Sequence, residues 1–377
     1  MPSRVCIITT VHPPFDTRIF HKQAKTLVKA GYDVTLIALH DKDEIVDGVK
    51  IIPLPKPRNR FTRIFGLTWR AFRLALRQRA DIYHFHDPEL LPAGIFLKLF
   101  ASAKVIYDVH EDYPKMIWVK YWIPKPLRHL AAFLFARIEV RGAHALDAIV
   151  TVNEVIGGRF GRNEVVLLKN YPLLALSEAI LRPKAAKVSN SLEGTKLIYV
   201  GGLTRARGIK EIVEAMEILD EPSNVQLALI GKFTEPLFKE EIGELLRFRK
   251  TRLVGWVPHP EVWEHLQEAD IALMCLHPVG DYTYGLPVKL FEYMAAGLPI
   301  IASDFPLWEN FFKEHGCGIT VNPLNAKEIA QAIEYLITHP EEARRMGENG
   351  RRAVVEKYSW ESEGEKLLEL YEELLRK

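Results

Sequence analysis

Short runs of β-branched and aromatic residues alternate along this chain with longer segments whose apolar positions recur every three or four residues. The pattern predicts strands over residues 5–9, 34–39, 82–85, 105–109, 148–152 and 165–168. It does so again over 197–200, 225–230, 252–254, 271–274, 300–302 and 318–321. Many are continuous apolar runs, as strands buried on both faces of a parallel sheet require. The amphipathic segment over residues 17–30 stops at Gly31, suited to the position just beyond a helix end. Strand and helix alternating on this scale imply an α/β fold of doubly wound sheets.

The scheme runs twice, and 377 residues exceed one ordinary core. Residues 173–194 show weak periodicity and end in the polar SNSLEGT, which marks a linker. The expected organisation is a Rossmann-like domain over 1–172, the linker over 173–194 and a second Rossmann-like domain over 195–358. A terminal helix over 359–377 is expected to pack back on the first domain. Two such domains facing one central cleft would place ligands at the carboxyl ends of the strands.

A hydrophobic fraction of 48% and a charged fraction of 26% fit a globular protein. The net charge of +2 hides an asymmetry. Residues 1–172 hold 26 Lys and Arg against 16 Asp and Glu, a balance of +10; the remainder holds 24 against 32, a balance of −8. Cys6, Cys275 and Cys317 are scattered without ligand spacing, which points to a reducing compartment. Neither a cleavable leader nor an uninterrupted spanning run is evident, so a cytoplasmic location is expected.

Residues 282–303 read YTYGLPVKLFEYMAAGLPIIAS. Pro287 suits a first helical position, Gly297 a helix stop, and Pro299 bars continuation before the next strand. The helix start near Gly285, Leu286, Pro287 and Val288 favours an anion. Lys289 sits in that first turn, where a cation is disfavoured, and precedes Glu292 in the poorer order for a helical ion pair. The two are either a partly exposed ion pair or parts of a site. Upstream, VGGLTRARG follows a strand: Gly201 and Gly202 admit a ligand to the backbone, and Arg205 and Arg207 offer forks for phosphate oxygens. A tight turn with solvated arginines is the plainer alternative. Gly231 and Lys232 end a further strand, so an anionic, phosphate-bearing ligand suits this half.

The stretches IYVGGLTRARGIKEIVEAM, LALIGK, LVGWVPHPEVWEHLQEADIALM, GLPVKLFEYMAAGLPIIAS and the late YSWE resemble the donor domain of a GT-B glycosyltransferase, specifically glycosyltransferase family 4. The resemblance implies a nucleotide-sugar donor, UDP-sugar favoured, and no further cofactor. It implies that Glu292 accepts hydrogen bonds from ribose hydroxyls and that Arg205, Arg207 and Lys289 meet the diphosphate. Gly285 to Val288 would offer amides, and the base would lie against Gly231, Lys232 and Val257. Two departures stand out. Many members carry an acid eight positions before the ribose glutamate, where this chain has Tyr284, and many place arginine where it has Gly202.

In the first half, HPPFDTR follows the first strand, with Asp16 as a helix cap and Arg18 able to reach a ligand. Two later strand ends read YHFHDPE and YDVHEDYP. These lack the spacing of a helical HExxH metal motif, so no metal is expected. By resemblance His110 touches the donor sugar near its anomeric carbon, while His86, Asp87, Glu111 and Asp112 line the acceptor side. His84 reads as a satisfied core histidine. The resemblance further implies retention of anomeric configuration by front-face displacement, with a glycan or lipid-linked glycan acceptor.

Residues 58–79 hold seven arginines and no acid, interleaved with Phe61, Ile64, Phe65, Trp69 and Phe72. Residues 115–141 carry a second basic, aromatic stretch. Peripheral contact with an anionic membrane is expected, the alternative being core helices. No nucleic-acid-binding signature accompanies the arginines. A dinucleotide-dependent oxidoreductase is disfavoured because no GxGxxG follows the first strand. A non-catalytic nucleotide-sugar or carbohydrate-binding protein is the other rival, motivated by Tyr284.

Overall fold

Each half of the chain folds around its own sheet in the computed structural model, which describes residues 2–119, 123–161, 164–173, 194–219, 224–246, 251–280 and 282–377. All but the two end residues of the expected linker lie outside the described residues. One unit comprises Met1–Asn170 with Trp360–Lys377, the other Tyr171–Ser359.

The first sheet contains β1 (Arg4–Ile8), β2 (Asp33–Leu39), β3 (Glu44–Val46), β4 (Val49–Leu54), β5 (Ile82–Phe85), β6 (Lys104–Val109), β7 (Ala148–Thr151) and β8 (Glu164–Leu167). Its order is β3-β4-β2-β1-β5-β6-β7-β8, and all pairings are parallel except β3 on β4. The antiparallel hairpin is absent from the sequence expectation. It turns through Asp47 and Gly48, both at positive φ (50° and 81°), a two-residue turn matched to strand twist.

The second sheet contains β9 (Thr195–Val200), β10 (Val225–Ile230), β11 (Thr251–Gly255), β12 (Ile271–Met274), β13 (Ile300–Ser303) and β14 (Gly318–Val321). Its order, β11-β10-β9-β12-β13-β14, is parallel throughout. Chain direction reverses beside β1 in one sheet and beside β9 in the other. The crevices between the carboxyl ends of β1 and β5, and of β9 and β12, are therefore the natural ligand positions.

Helices Thr68–Gln78, Leu91–Phe100 and Lys125–Ala143 carry the crossovers into β5, β6 and β7. Right-handed connections running in one direction across the sheet put all three on the same face. On the opposite face the Trp360–Arg376 helix packs against the segment after β1, where Trp360 Nε1 donates to Thr26 Oγ1 at 3.0 Å.

Candidate functional site

In the second unit β9 ends at Val200 and opens onto Gly201 and Gly202. Gly231, at the end of the neighbouring β10, must lack a side chain: its φ is 150°, and a Cβ would stand 1.8 Å from the Gly201 carbonyl oxygen. Bare backbone thus meets bare backbone at the sheet edge. Over it lies the Arg207 guanidinium, whose Nη1 is 2.8 Å from where a Cβ on Gly201 would stand. Burial alone would lower the pKa of Arg207, but the facing hydroxyls of Tyr199 and Tyr282 raise it, so it remains a cation. Arg205 does not share this position. Half-exposed, it stacks on Phe238 at 5.2 Å and pairs with Glu241. Lys232 is also exposed, 4.8 Å over the Trp256 ring.

The helix at Val288–Ala295 begins one residue later than expected: Pro287 is the cap residue (φ −74°, ψ 150°) and makes no side-chain cap bond. Its first amides are therefore left without a capping side chain. Trp308 Nε1 donates to the Gly285 carbonyl at 2.9 Å, fixing the loop ahead of the helix. Peptide planarity then turns the Leu286 N–H away from Trp308. Tyr284, Leu286 and Val257 are half-buried, the last two packed on the core. Lys289 departs from the partly exposed ion pair weighed for it. Its Nζ is inaccessible, makes no hydrogen bond, and stands 4.2 Å over the ring of Tyr199, the tyrosine that also faces Arg207. Burial first, then Arg207, hold its pKa well below the usual lysine range, against the opposing pull of Cys275 and Glu292. Glu292 follows one turn along, half-buried.

In the first unit the residues divide between a buried network and an accessible rim. Asp108, fully buried on β6, accepts from Arg18 Nε and Nη2 at 3.1 Å each and from Gln23 Nε2 at 2.6 Å. Arg18 spends its other nitrogen on the Leu168 carbonyl. The expectation that Arg18 faces a ligand is corrected: it neutralises a buried carboxylate. His86 is likewise interior, stacked on His84 at 4.9 Å, and burial holds its pKa well below normal. Asp112 turns to Lys115 and Arg159. Asp87 is buried and accepts from Thr9 Oγ1 (2.9 Å) and from Thr10 N and Oγ1 (2.5 and 3.2 Å), shaping the loop after β1.

The rim consists of His12, Asp16, His110 and Glu111. Asp16 caps its helix as expected, accepting from the Arg18 and Ile19 amides, and pairs with His12 Nδ1 at 3.4 Å. His12, not singled out from sequence, packs edge-on against His110 with centroids 5.2 Å apart. Burial would lower its pKa, yet Asp16, Asp87 and Glu111 raise it. The pKa of His110 is instead lowered, chiefly by burial. No helical spacing signals this pairing, because His12 lies in the loop ahead of the helix that Asp16 caps.

His84, His86 and Asp108 bring ligand atoms within 4.8 Å of one another. Arg18 and Gln23 already occupy that carboxylate, and His84 Nδ1 meets the Tyr371 hydroxyl, so the cluster reads as an internal ion-pair network.

Two Rossmann-like units, the second ending its central strand in paired glycines beside a half-buried arginine and a lysine with an inaccessible amine, define the GT-B class. The Glycosyl transferase 4-like domain matches residues 17–166, and Glycosyl transferases group 1 matches residues 182–353. MMP alpha-(1->4)-mannosyltransferase of Mycolicibacterium hassiacum is 24% identical over 81% of this chain and 74% of its own. Phosphatidyl-myo-inositol mannosyltransferase of Mycobacterium leprae is 22% identical over 93% and 88%. Anabaena HepE, solved in complex with UDP and glucose, superposes with a TM-score of 0.70 over 98% of this chain and 99% of its own, at 12% identity. This chain belongs to the GT-B glycosyltransferases of the family 4 type and uses a nucleotide-sugar donor.

Proposed function

We propose that the protein is a retaining hexosyltransferase that takes its sugar from a UDP-sugar. The acceptor is a glycan or lipid-linked glycan in cell-surface polysaccharide synthesis, reached from the cytoplasmic side. One observation carries the donor reading. Two basic side chains, the Arg207 cation and the Lys289 amine, converge on Tyr199 beside bare glycine backbone and a helix start without a side-chain cap. That is a receptor for a diphosphate. Lys289 supplies the cation that Gly202 lacks, and Glu292 accepts from the ribose.

As the glycosidic bond breaks, negative charge grows on the leaving diphosphate, and Arg207 and Lys289 stabilise it. The same diphosphate takes the acceptor proton, so no protein nucleophile or added cofactor is invoked. His110 holds the donor sugar, with His12, Asp16 and Glu111 as its rim. UDP is favoured because HepE, which shares the fold, was solved with UDP. A lipid-linked acceptor is favoured because a relative is named for transfer to phosphatidyl-myo-inositol.

Thermal shift with UDP-, GDP- and ADP-sugars tests the reading, since a true ligand stabilises the fold by mass action. A shift with UDP-sugars, lost in Glu292→Ala, is the expected result. A shift with GDP-sugars alone would overturn the choice of base, and no shift with any of them would overturn the donor site.

A further inference from the structure

We propose that the helical layer on one face of the first sheet docks on an anionic lipid bilayer. The layer is formed by Thr68–Gln78, Leu91–Phe100 and Lys125–Ala143, which pack side by side in that order. Its inner side builds the core, yet its outer side is also apolar. Phe65 is 61% exposed, Trp69 55%, Phe100 68% and Ile138 66%. The exposed aromatics Trp69, Phe96 and Phe100 are joined through the buried Phe72: Trp69 meets Phe72 at 5.4 Å, Phe72 meets Phe96 at 6.1 Å, and Phe96 meets Phe100 at 6.1 Å. Along Lys125–Ala143 the exposed Leu127, Leu130, Leu134 and Ile138 recur every three or four residues, a single outward stripe. A contiguous apolar surface of this kind marks an interaction face.

Charge selects the occupant. Arg58, Arg60, Arg70, Arg73 and Arg77 are exposed around the first helix, and Arg137 and Arg141 on the third. Within residues 58–79, 91–100 and 125–143 the one acid is Glu139, which is buried and bound to Tyr107 and Arg159. A second copy of this face would bring arginines against arginines, because a twofold interface pairs a surface with itself. An anionic bilayer offers acyl chains to the aromatics and phosphates to the guanidinium groups at once. Among the described residues no helix is long and apolar enough to cross a membrane, so the contact is interfacial. A lipid-linked acceptor would lie in such a surface, but docking stands without it and is measured without donor or turnover.

The experiment is co-flotation of the full chain with vesicles of phosphatidylcholine alone, or of phosphatidylcholine mixed with phosphatidylglycerol. Binding to the mixed vesicles, weakened by added salt, is expected. Replacing Arg70, Arg73 and Arg77 by Gln should weaken it about fivefold per residue. Phe65→Ser with Trp69→Ser should weaken it by at least about tenfold. These positions are exposed, and unchanged far-ultraviolet circular dichroism will confirm that the variants fold. Absence of binding to mixed vesicles, or equal binding to both kinds, overturns the proposal. So does a dimer in sedimentation that the Phe65/Trp69 variant disperses, which would assign the face to a second copy.

Discussion

His84 Nδ1 and the Tyr371 hydroxyl, 287 residues apart in sequence, stand 2.8 Å from one another in the interior of the first unit. The contact fastens the Trp360–Arg376 helix to β5. From there the rings continue outward: His84 stacks on His86, His86 lies 6.1 Å from His110, and His110 packs on His12. The last helix of the chain therefore supports the floor beneath the accessible histidines.

Tyr371→Phe removes the hydroxyl and leaves His84 Nδ1 buried without its partner. An unsatisfied buried polar group costs about 1–3 kcal/mol. Thermal denaturation should show a lower Tm with the fold retained. An unchanged Tm would mean that the pair does not anchor the helix.

The same cluster makes stability depend on pH. Burial holds the His84 pKa down at about 4, with Asp108 opposing, and lowers those of His86 and His110 as well. The unfolded chain takes up these protons near pH 6.5, while the folded chain refuses them. Stability is thus fully present above about pH 6.5 and falls as pH drops towards about 4. His84 alone contributes about 2 kcal/mol of loss by pH 5. Asp108, whose pKa Arg18 and the histidines lower against its burial, stays ionised in the folded protein and deepens the loss only below about pH 5, where its unfolded counterpart begins to protonate. Urea titrations at pH 7.5 and pH 5 check this, and equal midpoints would contradict it.

The strands were legible because parallel strands covered on both faces are apolar almost throughout, as in Ile271–Met274 and Ile300–Ser303. The Glu44–Val46 strand was not, being short, not fully buried and antiparallel, although its Asp-Gly turn was a readable hairpin signal. The glycine pair and the helix that carries Glu292 could be read because local spacing carries them. What spacing cannot show is which charges meet across the fold. Arg18 and Asp108 are 90 residues apart, and only folding reveals that each cancels the other. Arg205 and Arg207 look equivalent in sequence, but Glu241, on another helix, draws Arg205 outward.

Gly231→Ala tests the glycine floor of the donor half. The new methyl would meet the Gly201 carbonyl at 1.8 Å in a backbone region that side chains rarely adopt. Strain of that kind costs about 1–3 kcal/mol before the clash is added. The variant should lose both Tm and UDP affinity. Alanine at Gly243, where no atom lies within 4 Å of the added carbon, is the matched control and should leave UDP binding intact.

Lys289 gives the most specific prediction, because its amine is buried with no hydrogen-bond partner. Facing it are Arg207, which disfavours its charge, Cys275 and Glu292, which favour it, and the Tyr199 ring. A diphosphate placed beside it would favour the ammonium form strongly, so the free protein is expected to take up a proton as UDP binds. Affinity should then fall as pH rises through the window between the depressed pKa of the free lysine and its higher value in the complex. Titration calorimetry in Tris and in Hepes reads the proton directly, through the difference in buffer ionisation heat. Lys289→Met should bind UDP roughly 10- to 100-fold more weakly and show no buffer-dependent heat from this group. Lys289→Arg, charged at all working pH values, should bind without uptake. Equal heats for the unaltered protein in the two buffers would remove Lys289 from the diphosphate site.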